Sequence, residues 1–160
     1  MGVKQWFLDR YIHWVVGRAN ARADKIRDLQ EEAHRTEERI MRWEVFEYNI
    51  QWRNGQQATF VYTVRLLRDG RLEVLPNNIR PDLILYTDYP TVQGLATGRY
   101  EQVLPNGRVR VIEPFGAFDA LRLGGIEYLG NASMLKELNL WEKRIGGDLM
   151  RELRLPTPSR

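Results

Sequence analysis

Between Gly124 and Trp141 the hydrophobic period changes halfway, and few folds accommodate that change. Ile126 and Tyr128 alternate with Glu127 and Leu129 as in a strand, whereas Met134, Leu138, Trp141 and Ile145 recur at helical spacing. The switch falls at Gly130-Asn131. Glycine adopts a positive φ there without a steric cost, and the Asn131 or Ser133 side chain can accept a hydrogen bond from an orphan N–H of the first helical turn. The pattern predicts a strand followed at once by a helix that folds back over its own sheet.

The chain upstream supplies the rest of that sheet. From Trp43 the period is two, with Phe46, Tyr48, Ile50 and Trp52 on one face, until Asn54-Gly55 turns the chain. A strand over 58–67 presents Phe60, Tyr62, Val64 and Leu66 on one face, and Arg68-Asp69-Gly70 leads into Leu72 to Leu75. Three antiparallel strands in a meander follow from this order. Leu83 to Tyr86 is apolar throughout, as in a strand covered on both faces. Thr87 or Asp88 can cap the next helix, Pro90 suits its first turn and Gly98 its C′ position. Tyr100 to Glu113 reads as a hairpin around Asn106-Gly107, with a type I′ turn expected. Phe115 to Leu123 reads as a short helix. The expectation is an α+β domain from Trp43 onward, its mostly antiparallel sheet of five or more strands covered on one face by helices.

Residues 4–40 contain no proline, and Leu8, Ile12, Val15, Ala19, Ala23, Ile26 and Ala33 fall at near-helical spacing. One unbroken helix of that length would span about 55 Å, against a radius of gyration of about 15 Å for a domain of this size. It must break, near Gly17 or Asn20, or project. Residues 6–16 carry eight large apolar side chains, namely Trp6, Phe7, Leu8, Tyr11, Ile12, Trp14, Val15 and Val16, more than one helix face buries. Trp6, Phe7, Tyr11, Trp14 and Val15 are therefore candidate contacts to a partner, either a second copy of the chain or a larger subunit. Lys4, Arg10 and Arg18 beside the aromatics would also suit a peripheral membrane contact. The expected division is a helical extension over 1–42, a domain over 43–155 and a flexible tail over 156–160.

The inventory of reactive groups is thin. Among 160 residues there is no cysteine, so there is no disulfide and no thiolate metal site. His13 and His34 are too far apart to form an i,i+4 ligand pair. Ser133 and Ser159, the only serines, sit in no nucleophile elbow, and no glycine-rich phosphate loop lies between a strand and a helix. Asp82, Asp88 and Asp119 each suit a turn or cap, with no base or nucleophile beside them. No catalytic residue, metal or cofactor is expected. A net charge of +3, with the cations interleaved among acids, lacks the clustered stripe of a nucleic-acid binder. No stretch has the roughly 20 apolar residues of a membrane span, and the residues resemble no signal peptide, so a cytoplasmic location is expected.

The order of features resembles the sterol-carrier-protein-2-like domain. It includes the Gly-flanked strand ending in Gly130-Asn131, the apolar helix after it, the short aromatic segment with Phe115, Phe118 and Leu121, and the strand-to-helix run ending in Ala96-Thr97-Gly98. Pro81-Asp82-Leu83-Ile84-Leu85-Tyr86-Thr87-Asp88 resembles that family's exposed-acid, apolar-strand, capped-helix passage. The resemblance implies a hydrophobic tunnel between sheet and helices, holding a fatty acyl, sterol-like or isoprenoid ligand without acting on it. Its walls would be Phe60, Tyr62, Val64, Phe115, Phe118, Leu121, Met134, Leu135, Leu138 and Trp141. The alternative is an accessory subunit of a larger complex, docking through the N-terminal aromatic helix. The Tyr100 to Glu113 hairpin departs from the family pattern, as an embellishment that covers the ligand entrance or binds a partner.

Overall fold

A computed structural model describes residues 2–34 and 37–130. The N-terminal helical pattern breaks just after Asn20, giving α1 (Val3–Asn20) and α2 (Ala23–Glu32). Gly70 explains where the second helix can sit. Its φ is +87°, and a Cβ there would overlap the carbonyl oxygen of Ala23, so the turn over residues 67–71 receives the first turn of α2 directly. Ile26 and Leu29 of α2 then bury against Ala19 and Leu66.

Five strands form one sheet in the order β3-β2-β1-β4-β7: β1 (Arg39–Phe46), β2 (Phe60–Leu66), β3 (Leu72–Leu75), β4 (Leu83–Asp88) and β7 (Ile126–Gly130). The meander β1-β2-β3 is antiparallel, as the period-two runs imply, and β7 is antiparallel to β4. β1 and β4 are parallel, so the sheet is mixed. The chain reaches β4 by crossing the sheet: Arg42 donates to the carbonyls of Asn77 (2.9 Å) and Ile79 (2.6 Å), and Asp82 exchanges hydrogen bonds with Ile40.

β1 differs from its sequence reading at both ends. It begins at Arg39 rather than Trp43 and stops at Phe46, and Ile50–Trp52 is a 3-10 turn rather than its continuation. The cause is polar. The Asp88 carboxylate accepts from the Ile50 N–H (3.1 Å) and the Asn49 side chain from the Gln51 N–H (2.9 Å), which winds the chain and buries Ile50.

α3 (Tyr89–Thr97) has the caps its sequence implies: Asp88 accepts from the Thr91 N–H at 2.9 Å, Pro90 lies in the first turn, and Gly98 closes it at φ 73°. The hairpin β5 (Tyr100–Val103) and β6 (Val109–Ile112) forms a second, two-stranded sheet. Its turn is not type I′. Leu104 pairs with Arg108 and only Gly107 takes a positive φ (80°), because Pro105 fixes a negative φ at the first turn position. α4 (Ala117–Arg122) starts at Gly116, whose N–H is held by Asp119 at 2.9 Å.

Candidate functional site

The face of the sheet that meets the helices follows from the registers. One row of side chains across it runs Tyr62, Trp43, Leu85, Tyr128; its neighbours run Phe60, Val45, Thr87, Ile126 and Val64, Met41, Leu83, Gly130. Two apolar clusters cover this face. In the first, Leu8 and Tyr11 of α1 pack with Val45, Phe60, Tyr62, Tyr89, Val92 and Ala96. In the second, Leu83, Leu85, Leu95, Phe115, Ala120 and Ile126 pack with the partly buried Leu121 and Leu123. Trp43 touches both clusters yet is itself only partly buried, and Tyr128, beside Leu85 in the same row, is 48% exposed.

The sequence-predicted wall residues divide accordingly. Phe60, Tyr62 and Val64 are buried, the first two beneath α1. Phe115 is buried in the other cluster, stacked on Tyr100 at 4.7 Å between ring centres, with Leu121 alongside. Phe118 is 41% exposed. Met134, Leu135, Leu138 and Trp141 lie outside the described residues. Sequence reasoning did not single out Trp43 or Met41; Trp43 opens the period-two run, but its place opposite Tyr62 follows from the strand register, which the sequence does not show.

α1 is fastened to this face by polar groups. The Tyr62 hydroxyl donates to the Asp9 carboxylate at 2.6 Å, and the Gln5 amide donates to Asp9 at 2.7 Å and to the Tyr62 oxygen at 2.9 Å. Burial, followed by the hydrogen bond to and charge of Asp9, raises the Tyr62 phenol well above the usual tyrosine range. Burial alone pushes Tyr11 up to about 12. Of the candidate partner contacts, Tyr11 is committed to this core and Phe7, Trp14 and Val15 pack partly on it, while Trp6 is 52% exposed with the Arg10 guanidinium 4.8 Å from its ring centre.

A polar, water-sized concavity of about 20 Å³ is lined by Asn49, Gln51, Asp88, Thr91, Tyr100, Gly124 and Gly125 among others. Burial and the Asp88 charge raise the Tyr100 phenol. The three acids singled out in the sequence do not converge on a reacting centre. Asp82 holds the Ile40 N–H, Asp88 caps α3 and holds Ile50, and Asp119 caps α4. Among the described residues no cluster of acids and histidines could hold a metal ion, and no helix is long and apolar enough to cross a membrane.

The fold and this face define an α+β protein with a helix-covered mixed sheet. Its structure is similar to solved sterol carrier protein 2 structures: palmitated SCP2L2 from Aedes aegypti (14% identity, 79% of this chain and 89% of that chain, TM-score 0.43) and the apo form of sterol carrier protein 2 from Yarrowia lipolytica (13%, 90% and 89%, 0.42). A conserved hypothetical protein of Thermus thermophilus, described as a candidate sterol carrier protein, is similar at 16% identity over 92% of this chain and 90% of that one, with a TM-score of 0.48. No family model and no curated protein matches the chain.

Proposed function

We propose that this chain is a non-catalytic carrier of an apolar ligand of the fatty acyl, sterol-like or isoprenoid class, held against the helix-covered face of the sheet. The observation that supports the reading is Trp43, a large apolar side chain placed between two clusters and sealed by neither, with the exposed Tyr128 at the far end of its row. A ligand that touched Trp43 and Tyr128, with Leu85 uncovered between them, gains about 0.8 kcal/mol per buried methylene before ordering costs. Asp82, Asp88 and Asp119 are engaged in holding backbone N–H groups, in keeping with a binding role for the face.

Native mass spectrometry before and after organic extraction tests for a co-purifying lipid. A bromine-labelled fatty acid then locates it, since bromine quenches only nearby indoles. Quenching of tryptophan emission should fall by at least half in Trp43→Phe and be unchanged in Trp6→Phe. Absence of any lipid uptake, or quenching indifferent to Trp43, overturns the proposal. The accessory-subunit reading rests on the exposed Trp6 and Val3 at the start of α1, and a stable complex lost in Trp6→Ala would favour it instead.

A further inference from the structure

Among the described residues, the hairpin β5–β6 packs on the domain through one face. Tyr100 and Ile112 turn inward onto the second cluster. The opposite face carries Val103, Val109 and Val111, which are 72%, 55% and 46% exposed, with Val103 directly across from Val109. Among the described residues β6 is hydrogen-bonded to β5 alone, so its other edge is unpaired.

The hydrogen-bond register fixes what that edge presents. Leu104 N–H donates to the Arg108 carbonyl at 2.8 Å, which makes 104 and 108 a hydrogen-bonded pair. Alternation along an antiparallel ladder then turns the backbone groups of Arg110 and Ile112 toward β5 and those of Val109 and Val111 outward. The outer edge therefore offers the N–H and carbonyl groups of Val109 and Val111. From Leu104 to Ile112 the hairpin contains no acid, and Arg108 and Arg110 are exposed and form no ion pair among the described residues. The Glu101 and Glu113 carboxylates lie near Arg99, with Glu101 on the valine face across from Val111.

We propose that the β6 edge is a docking site for an extended, acidic segment of a partner protein, which adds a third strand to this small sheet. Strand addition supplies affinity through the main chain and selectivity through alternate side chains. Residues of the added strand opposite Val109 and Val111 share the valine face and are apolar; those opposite Arg108 and Arg110 share the other face and are acidic. The recognised pattern is thus apolar and acidic residues in alternation. A second copy of this chain is the poorer occupant, because symmetric β6–β6 pairing brings the two sets of arginines together, and like charges across strands destabilise a sheet.

The test uses the full chain and a fluorescein-labelled six-residue peptide of alternating valine and glutamate, read by fluorescence anisotropy. Saturable binding is expected, with an alternating valine–lysine peptide at least tenfold weaker. The double variant R108E/R110E should invert that order, and Val109→Pro, which removes an outward N–H from an edge position, should abolish binding of both peptides. Circular dichroism confirms that each variant is folded, and Arg110→Gln, a milder surface change, should weaken the acidic peptide alone. Equal binding of the two peptides, or an order that charge reversal leaves in place, overturns the proposal. So does a dimer in sedimentation velocity that Val109→Pro dissolves, which gives the edge to a second copy, or displacement of the peptide by phosphatidylserine vesicles, which gives the arginines to a lipid surface.

Discussion

Leu8→Ala asks whether α1 is part of the domain. Leu8 is 1% exposed and lies among Tyr11, Val45, Phe60, Tyr62, Tyr89, Val92 and Ala96. The substitution removes three carbons, which at about 0.8 kcal/mol per methylene is about 2.4 kcal/mol. The cavity left behind raises the total to about 3–4 kcal/mol if the neighbours relax only in part. Were α1 a detachable extension, alanine would improve its helix propensity and stability would hold or rise. The two cases differ in sign. Urea unfolding followed by far-ultraviolet circular dichroism should show the midpoint falling by roughly 1.5–2 M, taking a slope of about 2 kcal/mol per M. Trp6→Ala is the matched control: Trp6 is half exposed and touches Arg10, so its loss should cost about 1 kcal/mol or less. A Leu8→Ala loss below about 0.5 kcal/mol, the scale of an ordinary surface substitution, would refute the placement of α1 in the core.

Tyr62→Phe removes the donor to Asp9 and should cost about 1 kcal/mol at pH 7. The folded protein raises the Tyr62 phenol above its unfolded value, so that stabilisation is complete below about pH 10 and is lost as the pH climbs beyond it. Urea midpoints between pH 9 and 11 should therefore fall more steeply in the parent than in Tyr62→Phe, while Tyr11, raised to about 12, keeps some slope in both; parallel curves would remove Tyr62 from the account. Gly70→Ala should cost clearly more than Gly107→Ala in the same assay. Both residues have positive φ, worth about 1–2 kcal/mol for a side chain, but only at Gly70 does the new Cβ overlap the backbone of α2.

The parts of this fold that could be read from the sequence are those in which one residue type answers one local requirement. Asp88, Pro90 and Gly98 bound α3 because cap, first turn and left-handed end each demand their own chemistry. The hairpin was placed by Asn106-Gly107, yet its turn type was missed because Pro105 outranks the dipeptide. The bounds of β1 were missed for another reason. Nothing local distinguishes Tyr48 and Ile50 from strand residues; Asp88, 38 positions beyond Ile50, ends the strand by holding the Ile50 N–H. The parallel pairing of β1 with β4 is likewise a long-range fact, set by Arg42 and Asp82 across the 76–82 connection. The sterol-carrier-like resemblance drawn from the order of features accords with the solved structures to which the chain is similar. Which apolar residues share a cluster was not legible, because a stripe at helical or period-two spacing marks a buried face without naming what covers it.

The ties along α1 show why Phe60 and Tyr62 part company with Phe115. Lys4 near its start reaches Glu47 beyond β1 at 3.1 Å, Gln5 and Asp9 hold Tyr62 in β2, and Asn20 at its end brackets Leu72 in β3 through the Leu72 N–H (2.6 Å) and carbonyl (3.1 Å). The helix thus runs from the end of β1 across β2 to the edge strand, and its apolar residues cover that half of the sheet. α4 and Phe115 cover the half built on β4 and β7. Side chains of β1 that point to this face fall on the boundary. Val45, at the end where Tyr89 and Val92 close over it, is buried, whereas Met41 and Trp43 stay partly open. An apolar ligand that entered under α1 would have to break the Asp9–Tyr62 hydrogen bond and displace Leu8 and Tyr11. One that reached from Trp43 to Tyr128 would leave α1 in place but would have to open the second cluster over Leu85, which is 3% exposed, so the proposed ligand requires the Leu95 and Phe115 side of the sheet, and not the α1 side, to give way.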